Sequence, residues 1–234
     1  MKVLHLFAGA GGSHLAGEML GWESIGSVEI EPYCQAVIKH HYPNEAIHGD
    51  IRSFSATHLA GYVDGICGGF PCQDISSAGK GAGITGEQSG LWKEFARIIS
   101  EAQPQWAFIE NSPLLRTRGL EVVLEDLAKI GYDAEWGTYR ASDVGAPHRR
   151  DRMWILAYSK EMLCDGSNTG RCKVSEPRNH RVPQRRSWTS EPSVGRVADG
   201  VANRVDRLAA LGNGWVPAQA AEAFRQLWVR AKEC

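Results

Sequence analysis

Short apolar runs, each closed by glycines or a single acid, alternate along the chain with stretches whose apolar positions recur at helical spacing. "VLHLF" (Val3 to Phe7) reads as a short buried strand, "AGAGG" breaks it, and a helical stretch follows from about Ser13 to Leu20. "SIGSVEI" (Ser24 to Ile30) predicts a second strand, and Pro32 suits the first turn of a helix running to about His41. "AIHGD" gives a third strand edge and "YVDGICGGF" (Tyr62 to Phe70) a fourth. A helix from about Leu91 to Glu101 precedes the strand "WAFIE" (Trp106 to Glu110). "GLEVVLEDLAKIG" puts apolar residues at 120, 123, 124, 127 and 130 on one helix face, with Gly131 as its C-cap. "YDAEWGTYRA" and "RMWILAY" are strand-like, and a last helix from near Pro217 to about Lys232 carries Phe224, Leu227 and Trp228 on one face.

Strands and helices alternating at this pace predict an α/β fold, a mostly parallel sheet covered by helices on both faces. Ligands of such sheets sit at the carboxyl ends of the strands. Phe7-Ala8-Gly9, Glu29, Asp50, Cys72 and Glu110 each fall at or just past a predicted strand end, so five polar or glycine-rich ends converge on one crevice. From about Ser159 to Val197 the pattern dissolves into Pro, Ser, Asn, Gly and Arg. The chain therefore divides into a main domain over residues 1–158, a small irregular basic segment over 159–197, and a return to the main domain over 198–234.

Composition changes this picture little. At 234 residues, 43% hydrophobic and 23% charged, the chain suits one good-sized core. No run approaches the roughly 18 apolar residues of a membrane span, and the chain leads straight into a strand, so the expected location is the cytoplasm. Six scattered cysteines are expected to be reduced thiols. The net charge of −1 carries no nucleic-acid signature, but the distribution does. Arg171, Lys173, Arg178, Arg181, Arg185 and Arg186 face one acid, Glu176, in a stretch that reads as a solvated basic face or a phosphate-contacting arm.

Candidate chemistry gathers at the strand ends. "FAGAGG" joins a strand to a helix, so its backbone can approach a ligand closely. Glu29 and Asp50 at the next two strand ends point to a nucleoside cofactor, yet Gly9, Gly11 and Gly12 leave His at position 14 and do not complete a dinucleotide fingerprint. Cys72 follows Pro71, which stiffens the backbone, and precedes a glycine-rich loop suited to excluding water. A thiol near helix N-termini and arginines is partly thiolate; the competing reading is a small structural residue in a turn. Glu110 leaves an apolar strand, where desolvation would raise its pKa; a helix N-terminal carboxylate is the alternative. "HRRDRMWIL" puts Arg149, Arg150 and Arg152 at the mouth of a strand, with alternation sending Arg150 and Arg152 to one face, either as a solvated cluster or toward an anionic partner. Cys164, Cys172 and His180 could hold zinc by ligand type but are poorly spaced.

The order "FAGAGG", "VEIEPY", "GDI", "GGFPCQ", "EN", "HRRDR", "LGNGWVP" resembles the C5-cytosine DNA methyltransferases, closest in look to the short prophage-type members. The match spans Val3 to about Tyr158 and resumes from about Gly195 to Phe224. The resemblance implies a Rossmann-like sheet and S-adenosylmethionine as cofactor. By it the backbone around Phe7, Ala8, Gly9, Gly11 and Gly12 would hold the methionine part, and Glu29 the ribose. Ile30 and Ile51 would pack on the adenine, Asp50 would accept from its amino group, and Phe70 would stack over the ligand. Asn213 and Gly214 would return to the same pocket. Cys72 would add to C6 of cytosine, Glu110 would bond N3 and the exocyclic amine, and Arg152, with Arg150 beside it, would contact O2 or the adjacent phosphate. The target would be flipped out of double-stranded DNA, and the loop from Gln73 to Ser89, with Gln73 and Ser76 toward the DNA, would close over it.

Two motifs depart from the family's usual form: "ENS" stands for "ENV", and His148 replaces a glutamine. The recognition segment is also short, which implies a short site or reliance on an accessory protein. A non-catalytic DNA-binding relative and an RNA (tRNA) cytosine methyltransferase remain alternatives; a Rossmann oxidoreductase is disfavoured by the incomplete fingerprint and the Pro-Cys.

Overall fold

The computed structural model describes residues 1–71, 91–163 and 212–233. Its strands are β1 (Lys2–Leu6), β2 (Glu23–Val28), β3 (Ile47–His48), β4 (Gly65–Gly69), β5 (Trp106–Asn111), β6 (Tyr132–Arg140) and β7 (Asp151–Ser159). Its helices are α1 (Gly12–Leu20), α2 (Pro32–His41), α3 (Leu91–Ala102), α4 (Leu115–Arg118), α5 (Leu120–Lys129), the single turn α6 (Lys160–Leu163) and α7 (Pro217–Glu233). The strands form one sheet in the order β3-β2-β1-β4-β5-β7-β6. β1 to β5 pair in parallel, whereas β7 lies antiparallel between β5 and β6. That reversal has a local cause. Only residues 141–150, with a 3₁₀ turn at Ala141–Val144, separate β6 from β7, and a parallel return needs a crossover of about a dozen residues or more.

The pleat sends alternate residues of each strand into two cores. Leu4 and Leu6 of β1, Ala107 and Ile109 of β5, and Met153 and Ile155 of β7 pack with Trp92, Phe95, Ile98 and Ile99 of α3 and Val123 and Leu127 of α5. On the other face Val3, Trp106, Phe108, Trp154 and Leu156 pack with Ala16 and Leu20 of α1 and Phe224, Leu227 and Trp228 of α7. With both faces covered, the central strands read as almost continuous apolar runs. Such a sheet leaves the strand ends as the place where polar groups gather.

The observed elements trim the sequence reading at their ends. β2 stops at Val28 and β4 begins only at Gly65. α5 ends at Lys129, and Gly131, at φ +92°, donates its N–H to the Ala128 carbonyl as a helix-terminating residue. β7 runs to Ser159 and α6 follows over Lys160–Leu163, and most of the irregular segment lies outside the described residues. No helix among the described residues is long and apolar enough to cross a membrane.

Candidate active site

The glycine loop between β1 and α1 is held by its own backbone and by one acid. Phe7 and Gly9 turn through the left-handed region at φ +50° and +55°, and a side chain at Gly9 would meet nothing within 4 Å among the described residues. The N–H groups expected to point at a ligand are partly used within the protein. Ala8 donates to the Val28 carbonyl, Gly11 to that of Ala8, and Gly9 to Glu29 Oε2 at 2.6 Å. Glu29 also accepts from the Glu31 N–H at 2.8 Å and is 7% exposed. Burial raises its pKa, and the backbone N–H groups of Glu31 and Gly9 hold back part of that rise.

Below this loop runs a buried polar chain. His5 of β1 meets Ser13 Oγ at 3.0 Å and the Cys67 sulfur at 3.2 Å, and its ring stacks on His14 with centroids 4.0 Å apart. His14 Nε2 meets Glu45 Oε1 at 3.1 Å, and that oxygen also accepts from Ser24 at 2.7 Å and Ser27 at 2.5 Å. Neither the glycine loop nor the acids announce this network in the sequence; its signals are a lone His within "VLHLF" and another opening α1.

At the opposite side of the crevice, β4 and β5 place an acid beside a glycine. The register pairs Gly69 with Glu110, and a Cβ on Gly69 would stand 2.5 Å from Glu110 Oε2. No larger residue leaves the carboxylate in that position. Arg152 Nε approaches Glu110 Oε1 at 2.8 Å, with the acid's side chain 12% exposed. Burial pushes the Glu110 carboxyl up, and Arg152, Arg150 and the Trp215 indole hold back part of the rise. Asn111, next along β5 and 2% exposed, donates to the Phe70 carbonyl at 3.1 Å and accepts from the Ser112 N–H at 2.7 Å. It thereby fixes the backbone that leads into Pro71.

Several expected residues take other places. Phe70 is 2% exposed and packs on Trp92, with ring centroids 5.4 Å apart. Ile51 is likewise core, at 4% exposure. Ile30, by contrast, is 55% exposed beside Glu29. Asp50 is gripped by Arg52, whose Nε meets both carboxylate oxygens at 3.0 and 3.1 Å. Arg150 precedes the strand at φ +37°, which breaks the alternation assumed for it and Arg152. Its Nη2 donates to the carbonyls of Gly212 at 2.9 Å and Gly214 at 2.5 Å, so it braces the C-terminal segment. That segment returns to the first loop: a Cβ on Gly12 would stand 3.0 Å from the Trp215 carbonyl oxygen. Asn213 is exposed there.

For S-adenosylmethionine the surfaces that fit are the stretch at Gly9, the Glu29 carboxylate with lone pairs beyond its two N–H donors, the bare face of Ile30, and Asp50. Cys72, Gln73, Ser76, Arg171, Lys173, Arg178, Arg181, Arg185 and Arg186 lie outside the described residues, as do Cys164, Cys172 and His180. Among the described residues no three His, Cys, Asp or Glu side chains cluster as a metal site.

The C-5 cytosine-specific DNA methylase family matches residues 1–213. The Type II methyltransferase M.CviJI of Paramecium bursaria Chlorella virus IL3A is 35% identical over 165 residues, covering 68% of this chain and 44% of that protein. M.HhaI of Haemophilus parahaemolyticus, also a Type II methyltransferase, is 31% identical over 166 residues, 69% of this chain and 50% of that protein. A solved structure described as a DNA modification methyltransferase encoded within an E. coli prophage matches at a TM-score of 0.59 and 26% identity, covering 76% of this chain and 51% of that one. S. pombe Dnmt2 methyltransferase shares the fold at a TM-score of 0.58 and 18% identity, covering 75% and 58%. The chain spans about half the length of the curated relatives it matches. A match over residues 1–213, on a sheet that gathers the glycine loop, Glu29, Glu110 and Arg152 at its strand ends, means that the chain belongs to the C-5 cytosine-specific DNA methylase family.

Proposed function

We propose that this chain transfers a methyl group from S-adenosylmethionine to C5 of a cytosine swung out of double-stranded DNA. The observation that carries the reading is the buried Glu110, clasped by Arg152 at 2.8 Å on the strand beside Gly69, where the chain enters Pro71 and Cys72. Burial pushes this carboxyl up, toward the protonated form that can donate to N3 of a cytosine while its other oxygen accepts from the exocyclic amine. Arg152, against Glu110 at 2.8 Å, would contact O2 or the neighbouring phosphate.

Cytosine C5 is a weak nucleophile within an aromatic ring. Addition of the Cys72 thiolate to C6 forms an S–C bond, removes the aromatic stabilisation and makes C5 enamine-like. Protonation at N3 by Glu110 balances the charge of that addition. S-adenosylmethionine, when bound, supplies the electrophilic methyl. Loss of the C5 proton to a base then drives elimination of the Cys72 thiolate and restores the ring. Glu29 and Asp50 orient the cofactor's nucleoside, with Ile30 as its apolar support. Because C6 lies within the stack of a duplex, the base must be extruded first. The short recognition segment fits a short site or an accessory protein, and the cytoplasm keeps thiols reduced.

The test is bisulfite sequencing of plasmid from cells expressing the chain, beside Cys72→Ser and Glu110→Gln. Protected cytosines are expected only with the parent chain. Label from tritiated cofactor appearing in tRNA and not in DNA would move the substrate to RNA.

A further inference from the structure

The C-terminal segment carries a residue that neither the glycine loop nor the strand-end acids account for. Trp215 sets its backbone against Gly12, where a Cβ would stand 3.0 Å from its carbonyl oxygen. Its ring packs edge-on against Trp154, centroids 4.7 Å apart at 80°, and against Phe108, 5.8 Å at 87°. That packing delivers the indole N–H to the space above Gly69: a Cβ there would stand 3.2 Å from Trp215 Nε1 and 2.5 Å from Glu110 Oε2. The buried indole nitrogens of Trp22, Trp106, Trp154 and Trp228 have no hydrogen-bond partner among the described residues. Trp215 has one in the Glu110 carboxylate.

We infer that Trp215 is a positioning residue for Glu110, and that through it the C-terminal segment ties the cofactor loop at Gly12 to the acid that bonds the base. The inference rests on the proposed methyl transfer for what Glu110 does, but the contact itself does not depend on it. Glu110 meets two groups from two directions, Arg152 on β7 and the indole from the C-terminal segment, with the charge of Arg150 acting from farther off. Arg152 engages Glu110 Oε1, and Arg150 donates to the Gly212 and Gly214 carbonyls. The indole is held by two aromatic neighbours and a backbone contact, so it fixes which way the second carboxylate oxygen points. An N–H donor also favours the ionised carboxylate, and removing it moves the Glu110 titration to higher pH.

The test compares the full chain with Trp215→Phe and with 3-benzothienylalanine at position 215, which keeps the ring outline and replaces N–H by sulfur. The second variant serves should the phenylalanine chain fold poorly. Carbon-13 NMR of glutamate-labelled protein, with Glu110 assigned through Glu110→Gln, follows the carboxyl without cofactor or DNA. The Glu110 midpoint is expected to rise by at least about half a pH unit in the variants. A midpoint that stays put overturns the inference. In tritiated-methyl transfer, kcat is expected to fall at least about tenfold with the cofactor KM within about threefold, and an unchanged kcat overturns it too. Should the parent chain label no nucleic acid, the proposed reaction fails, and the NMR titration alone decides the role of Trp215.

Discussion

Asn111→Ala removes the side chain that joins two strand ends at the mouth of the crevice. Its Nδ2 donates to the Phe70 carbonyl at 3.1 Å, a bond buried from water, and its Oδ1 accepts from the part-buried Ser112 N–H at 2.7 Å. Leaving the buried carbonyl unpaired costs about 1–3 kcal/mol, and the more accessible N–H adds about 0.5–1 kcal/mol because water can reach it. The sum is about 1.5–4 kcal/mol. For a chain of 234 residues that corresponds to a melting temperature lower by roughly 5–15 °C. Methyl transfer should fall at least about tenfold, since the freed carbonyl is that of the residue leading into Pro71 and Cys72. Asn111→Asp separates the two bonds. It keeps the acceptor for Ser112 but turns a carboxylate toward the Phe70 carbonyl, so burial raises its pKa above the ordinary value of about 3.9. A raised folded pKa means the folded state holds the proton more tightly, so this variant should gain stability relative to the parent as pH falls. Urea unfolding at several pH values measures both. A loss below about 0.5 kcal/mol for Asn111→Ala, with kcat intact, would refute the reasoning.

The polar chain under the glycine loop makes stability acid-sensitive. Burial alone would raise the Glu45 carboxyl, but hydrogen bonds from His14, Ser27 and Ser24 outweigh it and bring it down to about 2 from 4.5. A depressed folded pKa contributes stability above pH 4.5 that is lost as pH falls toward 2, about 2 kcal/mol after allowance for partial solvent access. Urea titrations of Glu45→Gln should therefore lack that slope, and a slope matching the parent's would contradict the assignment. Phe224→Ala empties a fully buried site ringed by Trp22, Trp106, Phe108 and Trp228, and denaturant unfolding should register a loss of about 3–5 kcal/mol.

Much of this architecture was legible because periodicity and composition agreed. The alternation of "WAFIE" and "RMWIL" with helical stretches predicted a sheet buried on both faces, and Phe224, Leu227 and Trp228 were rightly placed on the packed face of α7. The acid at the end of β5 and the arginine at the mouth of β7 were read as site residues, and they meet at 2.8 Å. Placement was harder to read where a strand-end residue has two destinations. Phe70 and Ile51 were read as cofactor-packing residues, and the structure shows both side chains buried against the core. Arg150 was assigned by strand alternation, but β7 begins only at Asp151, one residue after it. Trp215 and Asn111 escaped as placed groups because their partners, Glu110 and the Phe70 carbonyl, lie 105 and 41 residues away in sequence. No local pattern carries contacts of that range.

The central claim is a transient bond between Cys72 and an extruded cytosine. Oligonucleotides carrying 5-fluorocytosine should trap it, because fluorine at C5 cannot leave as the proton does once the methyl is in place. Intact mass spectrometry with S-adenosylmethionine present should give a protein–DNA adduct whose mass includes one added methyl group, and Cys72→Ser should give none. Parent protein that binds the cofactor and the oligonucleotide yet forms no adduct would contradict the account.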